Sequence, residues 1–190
     1  KFPTTFGPSC CKVQRRLWHW RHCEENWLPR SGSTLVDQIL GCHTEVEPRG
    51  ELYGLSDALG RLGGYPLTRD ARALAVEAAR YAELLDGDGV RPTDKMPNNV
   101  IHLGLAAHLV PDAHVVYVER DPVEVCWSCF RHAMAAGLPW ATSLEGLAAW
   151  TIGVHRLMTH WKAVLPLPIH TVRYEELVTA PESTVRRLLG

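Results

Sequence analysis

A loop rich in glycine and hydroxyl residues is the first segment of the sequence that could bind an anion. Residues 28–34 read LPRSGST and lead into the apolar stretch LVDQIL at 35–40, which is typical of a helix. Small residues let successive backbone N–H groups point at one anion at a helix N-terminus. The loop is not a Walker A motif, because Trp27 replaces its first glycine, Ser33 replaces its lysine, and the cation Arg30 comes earlier. An ordinary helix-capping turn is the alternative explanation.

Three further residues could complete an anion site. Lys95 lies in the segment TDKMP, beside the start of a predicted helix. Arg120 follows the apolar run HVVYV at 114–118, which predicts a buried strand, and open α/β sheets bind ligands at the carboxyl ends of their strands. Ser128 lies on the next predicted helix, for which Asp121 is the expected N-cap. We therefore expect a small anion site rather than a broad basic surface.

The elements that position these residues alternate between helix and strand. The pattern predicts a helix over 71–85 capped by Thr68, a strand over 114–118, a helix over 144–165 capped by Thr142, a strand over 169–174, and a helix opened by residues 179–182. Strands that alternate with helices favour an α/β fold with a central parallel sheet.

Length and composition exclude several classes of protein. The chain has 190 residues, of which 46% are hydrophobic and 22% charged, as in one globular domain. A net charge of -1 gives no basic field for nucleic acid. No stretch approaches the ~18 apolar residues of a membrane span and no secretory signal is recognisable, so we expect a cytoplasmic protein. Cys126 and Cys129 are expected to be packed thiols rather than metal ligands.

Five segments in order resemble the motifs of the sulfotransferase superfamily: PRSGSTLVDQIL, RGEL, TDKMPNN, ERDPVEVCWSC and VRYEELV. They are most similar to the bacterial branch related to tyrosylprotein sulfotransferases, whose members are often fused to tetratricopeptide repeats. The resemblance covers residues 28–190 and implies a P-loop-like three-layer α/β/α fold. It also implies transfer of a sulfuryl group, without a metal, from 3′-phosphoadenosine 5′-phosphosulfate to an acceptor hydroxyl. The product nucleotide would be 3′,5′-diphosphoadenosine, and the acceptor a protein tyrosine, a carbohydrate or a small molecule.

The same resemblance implies which residues bind the cofactor. The 5′-phosphosulfate loop would consist of Arg30, Ser31, Gly32, Ser33 and Thr34. The 3′-phosphate would be held by Arg120 and Ser128, and Tyr174 would lie near the adenine.

The resemblance also implies a catalytic set of Glu51, Lys95 and Arg30. Glu51 in RGEL would take the proton of the acceptor, and Lys95 would lie near the bridging oxygen of the leaving phosphate. This set agrees with the chemistry, because sulfuryl transfer needs positioning, a base, and cations where charge develops. The alternatives are a surface acid for Glu51, a solvated loop residue for Lys95 and a core residue for Tyr174.

The first 27 residues depart from the family pattern. The family has an apolar strand that ends in glycine before the phosphate loop, whereas residues 21–27 read RHCEENW. We therefore expect residues 1–27 to be an atypical segment of doubtful origin and the central strand to be missing. Residues 28–190 would be a sulfotransferase domain truncated at its C-terminus.

Two other functions stay open at this point. A decayed enzyme would bind the nucleotide without catalysing transfer. Another P-loop enzyme, such as a small kinase, is disfavoured because the Walker lysine is absent and because Arg120 with Ser128 has no counterpart there.

Overall fold

A parallel sheet forms the centre of the molecule. The computed structural model describes residues 22–26, 30–86, 91–131 and 139–189, and of 22–26 only the backbone. The strands are β1 (His22–Asn26), β2 (Val46–Pro48), β3 (Arg91–Asp94), β4 (Ala113–Glu119) and β5 (Ile169–Arg173). They form one five-stranded sheet in the order β2-β3-β1-β4-β5, and each neighbouring pair is parallel.

Helices cover both faces of this sheet. They are α1 (Ser33–Leu40), α2 (Gly54–Arg61), α3 (Ala71–Leu85), α4 (Leu103–Leu109), α5 (Pro122–Arg131), α6 (Leu144–Val164), α7 (Tyr174–Thr179) and α8 (Pro181–Leu189). Short 3₁₀ helices span Pro97–His102 and Pro139–Thr142.

The hydrophobic core has two halves because alternate side chains of a strand point to opposite faces. Val115 and Tyr117 of β4 pack with residues of α2, α3, α4 and α6. Val116 and Val118 pack with residues of α1, β5, α7 and α8. These two layers of helices around a parallel sheet confirm the predicted three-layer α/β fold.

The central strand of the sheet, which the sequence predicts to be missing, is present as β1. It lies between β3 and β4, where Glu24 is opposite both Asp94 and Val115. The expectation of a missing central strand is therefore wrong, because strand pairing uses the backbone N–H and C=O groups that nearly every residue carries. The origin of residues 1–27 stays a prediction, and residues 1–21 and 27–29 lie outside the described residues.

Several element boundaries differ from the predictions. The carboxylate of Asp70, not the hydroxyl of Thr68, caps α3 by accepting from two first-turn amides. Ser143, not Thr142, caps α6. In both cases the group directly before the first turn reaches the free donors best. The cap of α5 agrees with the prediction, since the Asp121 carboxylate accepts from the next two helical amides at 2.8 and 3.0 Å.

Candidate active site

The predicted site residues all lie beyond the carboxyl ends of the strands. Lys95 follows β3 directly, Arg120 follows β4 and Tyr174 follows β5. Arg30 and Glu51 lie a few residues after the ends of β1 and β2. Because all five strands are parallel, these positions share one edge of the sheet, which is where α/β folds of this kind bind ligands.

The loop before α1 has the backbone geometry of an anion site. Arg30 has a φ of 70°, and Gly32, the N-cap of α1, has a φ of 108°. The side chains of Ser31 and Ser33 are buried, and that of Thr34 is exposed. The first turn of α1 carries no acidic residue, so no side chain of that turn offsets the positive end of the helix dipole.

Tyr174 closes one side of this loop. A Cβ atom added to Gly32 would lie 2.4 Å from Cδ2 of the Tyr174 ring, so glycine is required by contact as well as by φ. The guanidinium carbon of Arg120 lies 4.4 Å from the centre of the same ring, within cation–π distance. The first turn of α7 is therefore in contact with the loop that opens α1.

Two arginines and a serine converge at the same place. Nε of Arg30 donates to Oγ of Ser128 at 3.0 Å, and Nη1 of Arg120 donates to the carbonyl of Arg30 at 2.8 Å. Glu124, in the first turn of α5, lies 3.8 Å from Arg120, which precedes that helix, and the Glu124 side chain is 64% exposed. Such a pair with an exposed partner contributes little to stability.

Glu51 and Lys95 form a second cluster. The ammonium group of Lys95 donates to Oε1 of Glu51, and the lysine side chain is 10% exposed while the glutamate side chain is 50% exposed. The carboxylate therefore has one side against a buried cation and one side open to solvent.

A side-chain hydrogen bond joins helix α1 to β3, the strand that precedes Lys95. Oγ1 of Thr93 donates to Oδ1 of Asp37 at 2.8 Å, and both side chains are buried. This bond joins α1 to β3 two residues before Lys95. The predictions did not include Asp37, since its place in LVDQIL has no special signal beyond being an acid in an apolar run.

A cavity of about 720 Å³ lies between the sheet and α6, next to the arginine cluster. Ser31 and Arg120 line it near the loop, and Tyr117 and Thr151 line it further in. Burial and the neighbouring Glu119 raise the pKa of Tyr117 to about 12, so its phenol stays neutral.

Cys126 and Cys129 are packed thiols. Cys129 is 1% exposed, and burial followed by the nearby Cys126 raises the pKa of its thiol. In the part of the chain that the structure describes, no group of three or more His, Cys, Asp or Glu side chains is placed to hold a metal ion. Within the same part, no helix combines the length and apolar character of a bilayer span.

The sequence of the chain matches the model of a known protein family. The model of the family described as "Sulfotransferase family" matches residues 67–190, which is more than half of the chain. The chain belongs to the sulfotransferase family. This confirms the family that the sequence motifs indicate.

Sequence comparison also relates the chain to a much longer protein. An uncharacterized protein of Aquifex aeolicus (strain VF5) is 31% identical over 182 residues, which covers 85% of this chain and 24% of that protein. The sulfotransferase chain thus spans about a quarter of that relative's length.

Solved structures share its fold at low sequence identity. The sulfotransferase domain from the curacin biosynthetic pathway is 16% identical with a TM-score of 0.64, over 89% of this chain and 72% of that one. A sulfotransferase from Alicyclobacillus acidocaldarius is 16% identical with a TM-score of 0.61, over 90% of this chain and 80% of that one. Shikimate kinase from Bacteroides thetaiotaomicron is 12% identical with a TM-score of 0.51, over 89% of this chain and 95% of that one. The architecture of the chain is therefore P-loop-like.

Proposed function

We propose that this sulfotransferase takes its sulfuryl group from 3′-phosphoadenosine 5′-phosphosulfate and transfers it to an acceptor hydroxyl by in-line displacement. The observation that carries the choice of donor is the convergence of Arg30, Ser128 and Arg120 beside the phosphate loop. The 3′-phosphate is the group that distinguishes this donor from ATP. The guanidinium group of Arg120 and the hydroxyl of Ser128 suit this phosphate, because charge-assisted hydrogen bonds to its oxygens are the strongest available, and Arg30 of the loop contacts both residues.

The residues present fit this cofactor. Gly32 lets the loop take its positive φ in contact with the Tyr174 ring, and small residues of this kind let backbone amides approach an anion. The N-terminus of α1 favours an anion at the same point. The ring of Tyr174, next to Arg120, offers a flat surface near the place where an adenine would lie.

The cofactor-binding roles follow from these positions. The 5′-phosphosulfate would be held by Arg30, Ser31, Gly32, Ser33 and Thr34. Arg120 and Ser128 would hold the 3′-phosphate, with Tyr174 near the base. When bound, the cofactor supplies an activated sulfuryl group whose leaving group is 3′,5′-diphosphoadenosine.

In this proposal Glu51 and Lys95 act at the two ends of the displacement. Glu51, half exposed, takes the proton of an acceptor hydroxyl that arrives from solvent. Lys95, nearly buried and paired with Glu51, holds a positive charge where negative charge grows on the leaving oxygen. Arg30 adds a second cation at the loop. The acceptor class, a cytoplasmic location and flanking tetratricopeptide repeats stay predictions.

A decayed enzyme that binds the nucleotide without transfer is the second candidate. The polar sequence HCEEN of the middle strand favours it, since buried parallel strands are normally apolar. The two candidates differ in turnover but not in nucleotide binding.

The test is a transfer assay with sulfur-labelled cofactor against a panel of tyrosine peptides, sugars and phenols. The parent chain is expected to label at least one acceptor. Glu51→Gln keeps the shape of the side chain and removes the base, so turnover should fall by about 10²–10⁴-fold while nucleotide affinity is retained. Nucleotide binding without any transfer by the parent would instead support the decayed enzyme.

Glu47→Gln is the matched control for this substitution. Glu47 lies on β2 and pairs with Arg49 at 3.4 Å rather than with Lys95. It should change turnover little. If Glu47→Gln loses turnover and Glu51→Gln keeps it, the base has been assigned to the wrong residue.

A further inference from the structure

We propose that Asp94 is a positioning residue that holds Glu51 against Lys95, an inference that rests on the proposed function for its catalytic consequence. Asp94 lies in the segment TDKMPNN, in which the sequence predicts a role only for Lys95. It lies at the end of β3, immediately before Lys95, and it is 0% exposed.

The carboxylate of Asp94 joins three separate segments. Its Oδ1 accepts from the backbone amide of Leu52 at 3.2 Å. Its Oδ2 accepts from the hydroxyl of Tyr81 at 2.7 Å and from the side-chain amide of Asn99 at 3.0 Å. The loop after β2, helix α3 and the 3₁₀ helix after β3 therefore meet at one buried acid.

Two backbone hydrogen bonds complete the attachment of the loop that carries Glu51. The amide of Arg49 donates to the carbonyl of Thr93 at 3.0 Å, and the amide of Lys95 donates to the carbonyl of Gly50 at 2.7 Å. Together with the bond from Leu52 to Asp94, they fix the residues on both sides of Glu51. The end of β3 thus fixes the backbone from which the Glu51 side chain reaches Lys95.

A carboxylate is suited to this position because its two oxygens accept in different directions. One oxygen faces the loop, and the other faces two donors from the core. Tyr81 is itself held in place. It is 1% exposed, and its ring packs so closely on Gly54 that a Cβ added there would lie 2.5 Å from Cδ2 of Tyr81. Burial raises the pKa of Asp94, while the hydrogen bonds from Tyr81, Asn99, Leu52 and Met96 act in the opposite direction.

The test compares Asp94→Ala with Glu77→Ala. Glu77 is a matched control because it is also a buried acid, 4% exposed, but it pairs with Arg61 and Arg80 away from the loop. Three quantities are measured: kcat with 4-nitrophenol as the acceptor, affinity for 3′,5′-diphosphoadenosine, and the rate at which limiting acetic anhydride modifies Lys95, read by peptide mass spectrometry. Glu51→Gln sets the scale for a Lys95 without its partner.

Asp94→Ala is expected to lower kcat by about 10²-fold, the effect of a misplacement of about 1 Å, while nucleotide affinity is retained. Lys95 should be modified faster than in the parent, toward the rate in Glu51→Gln. Glu77→Ala should lose stability without a change in kcat or in the Lys95 rate. If Asp94→Ala matches Glu77→Ala in kcat and in the rate of Lys95 modification, Asp94 has only a structural role and the inference fails.

Two further outcomes are also decisive. If the parent chain catalyses no transfer to any acceptor, the proposed function fails, and the Lys95 rate alone then decides whether Asp94 positions Glu51. If Asp94→Ala does not fold, Asp94→Asn carries the comparison, because its amide offers one oxygen where the carboxylate offers two. A faster Lys95 reaction in Asp94→Asn supports the inference, and an unchanged rate overturns it.

Discussion

Gly32 meets two separate constraints at the start of α1. Its φ of 108° lies in a region that side-chain-bearing residues rarely adopt, and the Tyr174 ring occupies the position of a Cβ. The loop therefore depends on glycine for its own conformation and for its contact with α7.

Gly32→Ala tests both constraints against a control that tests only one. Gly63 also has a positive φ, 87°, but a Cβ there would meet nothing within 4 Å. Both alanine variants should lose about 1–3 kcal/mol from backbone strain, and Gly32→Ala should lose more because of the ring overlap. Urea unfolding measures the stability, and calorimetry measures nucleotide affinity, which only Gly32→Ala should weaken. Equal losses of stability with nucleotide affinity retained in both would contradict this account.

Arg120 is the residue on which nucleotide choice depends. Arg120→Ala should remove most of the preference for 3′-phosphorylated nucleotides, since a charge-assisted contact to phosphate contributes about 1.5–3 kcal/mol. Ser128→Ala should weaken binding less, because it removes a neutral hydroxyl. Titration of both variants with 3′,5′-diphosphoadenosine and with adenosine 5′-phosphate measures the preference. If Arg120→Ala keeps the parent's preference, the 3′-phosphate has been assigned to the wrong place.

At the scale of elements, the best predicted features are those with local physical causes. The apolar run of β4 and the aspartate that caps α5 depend on neighbouring residues alone, and both agree with the structure. By contrast, β2 and β3 read VEP and RPTD, and their three or four residues with proline resemble loops. Their pairing is decided by the sheet rather than by their own sequence.

Contacts between distant parts of the chain could not be predicted either, whether in the helices or in the site. Within α3 the structure buries Tyr81 and Glu77 rather than the alanines of that helix, because large or paired side chains gain more from burial. Strand ends and motif order predicted the candidate site residues. They could not predict that Asp94 fastens the Glu51 loop, because that contact spans 42 residues.

Strands β4 and β5 also contain a pH-sensitive contact. Nδ1 of His114 lies 3.0 Å from Nε2 of His170, and the two rings are stacked. Burial, followed by His170 and Arg91, lowers the pKa of His114 to about 4, and burial lowers the pKa of His170. The folded chain therefore keeps both rings neutral at a pH where free histidine, with a pKa of about 6.5, is protonated.

The sign of the pH effect follows from proton linkage. Between about pH 6.5 and 4 the unfolded chain binds more protons at these sites, so the free energy of unfolding should fall as the pH falls. His114→Gln should flatten this slope, and His108→Gln, at an exposed position of α4, should leave it unchanged. Urea unfolding at several pH values between 4 and 7 measures the slopes. Identical slopes in the parent and in His114→Gln would contradict the assignment.

At the scale of the whole molecule, a parallel sheet brings distant residues to one edge. Residues 30, 51, 95, 120 and 174 are spread over most of the chain, yet each follows a strand and lies at the same edge. Family motifs give these positions in order along the chain. The fold adds which of them touch: Arg30 with Ser128 and Arg120 on one side, and Glu51 with Lys95 on the other.

The measurement that tests the proposed donor most directly is a calorimetric comparison of 3′,5′-diphosphoadenosine with adenosine 5′-phosphate and with ATP plus magnesium. The first two ligands differ only in the 3′-phosphate that Arg120 and Ser128 are proposed to hold. The account predicts that 3′,5′-diphosphoadenosine binds about 10- to 100-fold more tightly than adenosine 5′-phosphate, which corresponds to about 1.4–2.7 kcal/mol. ATP with magnesium should bind more weakly than 3′,5′-diphosphoadenosine. Equal affinity for the first two ligands, or tighter binding of ATP with magnesium, would contradict it.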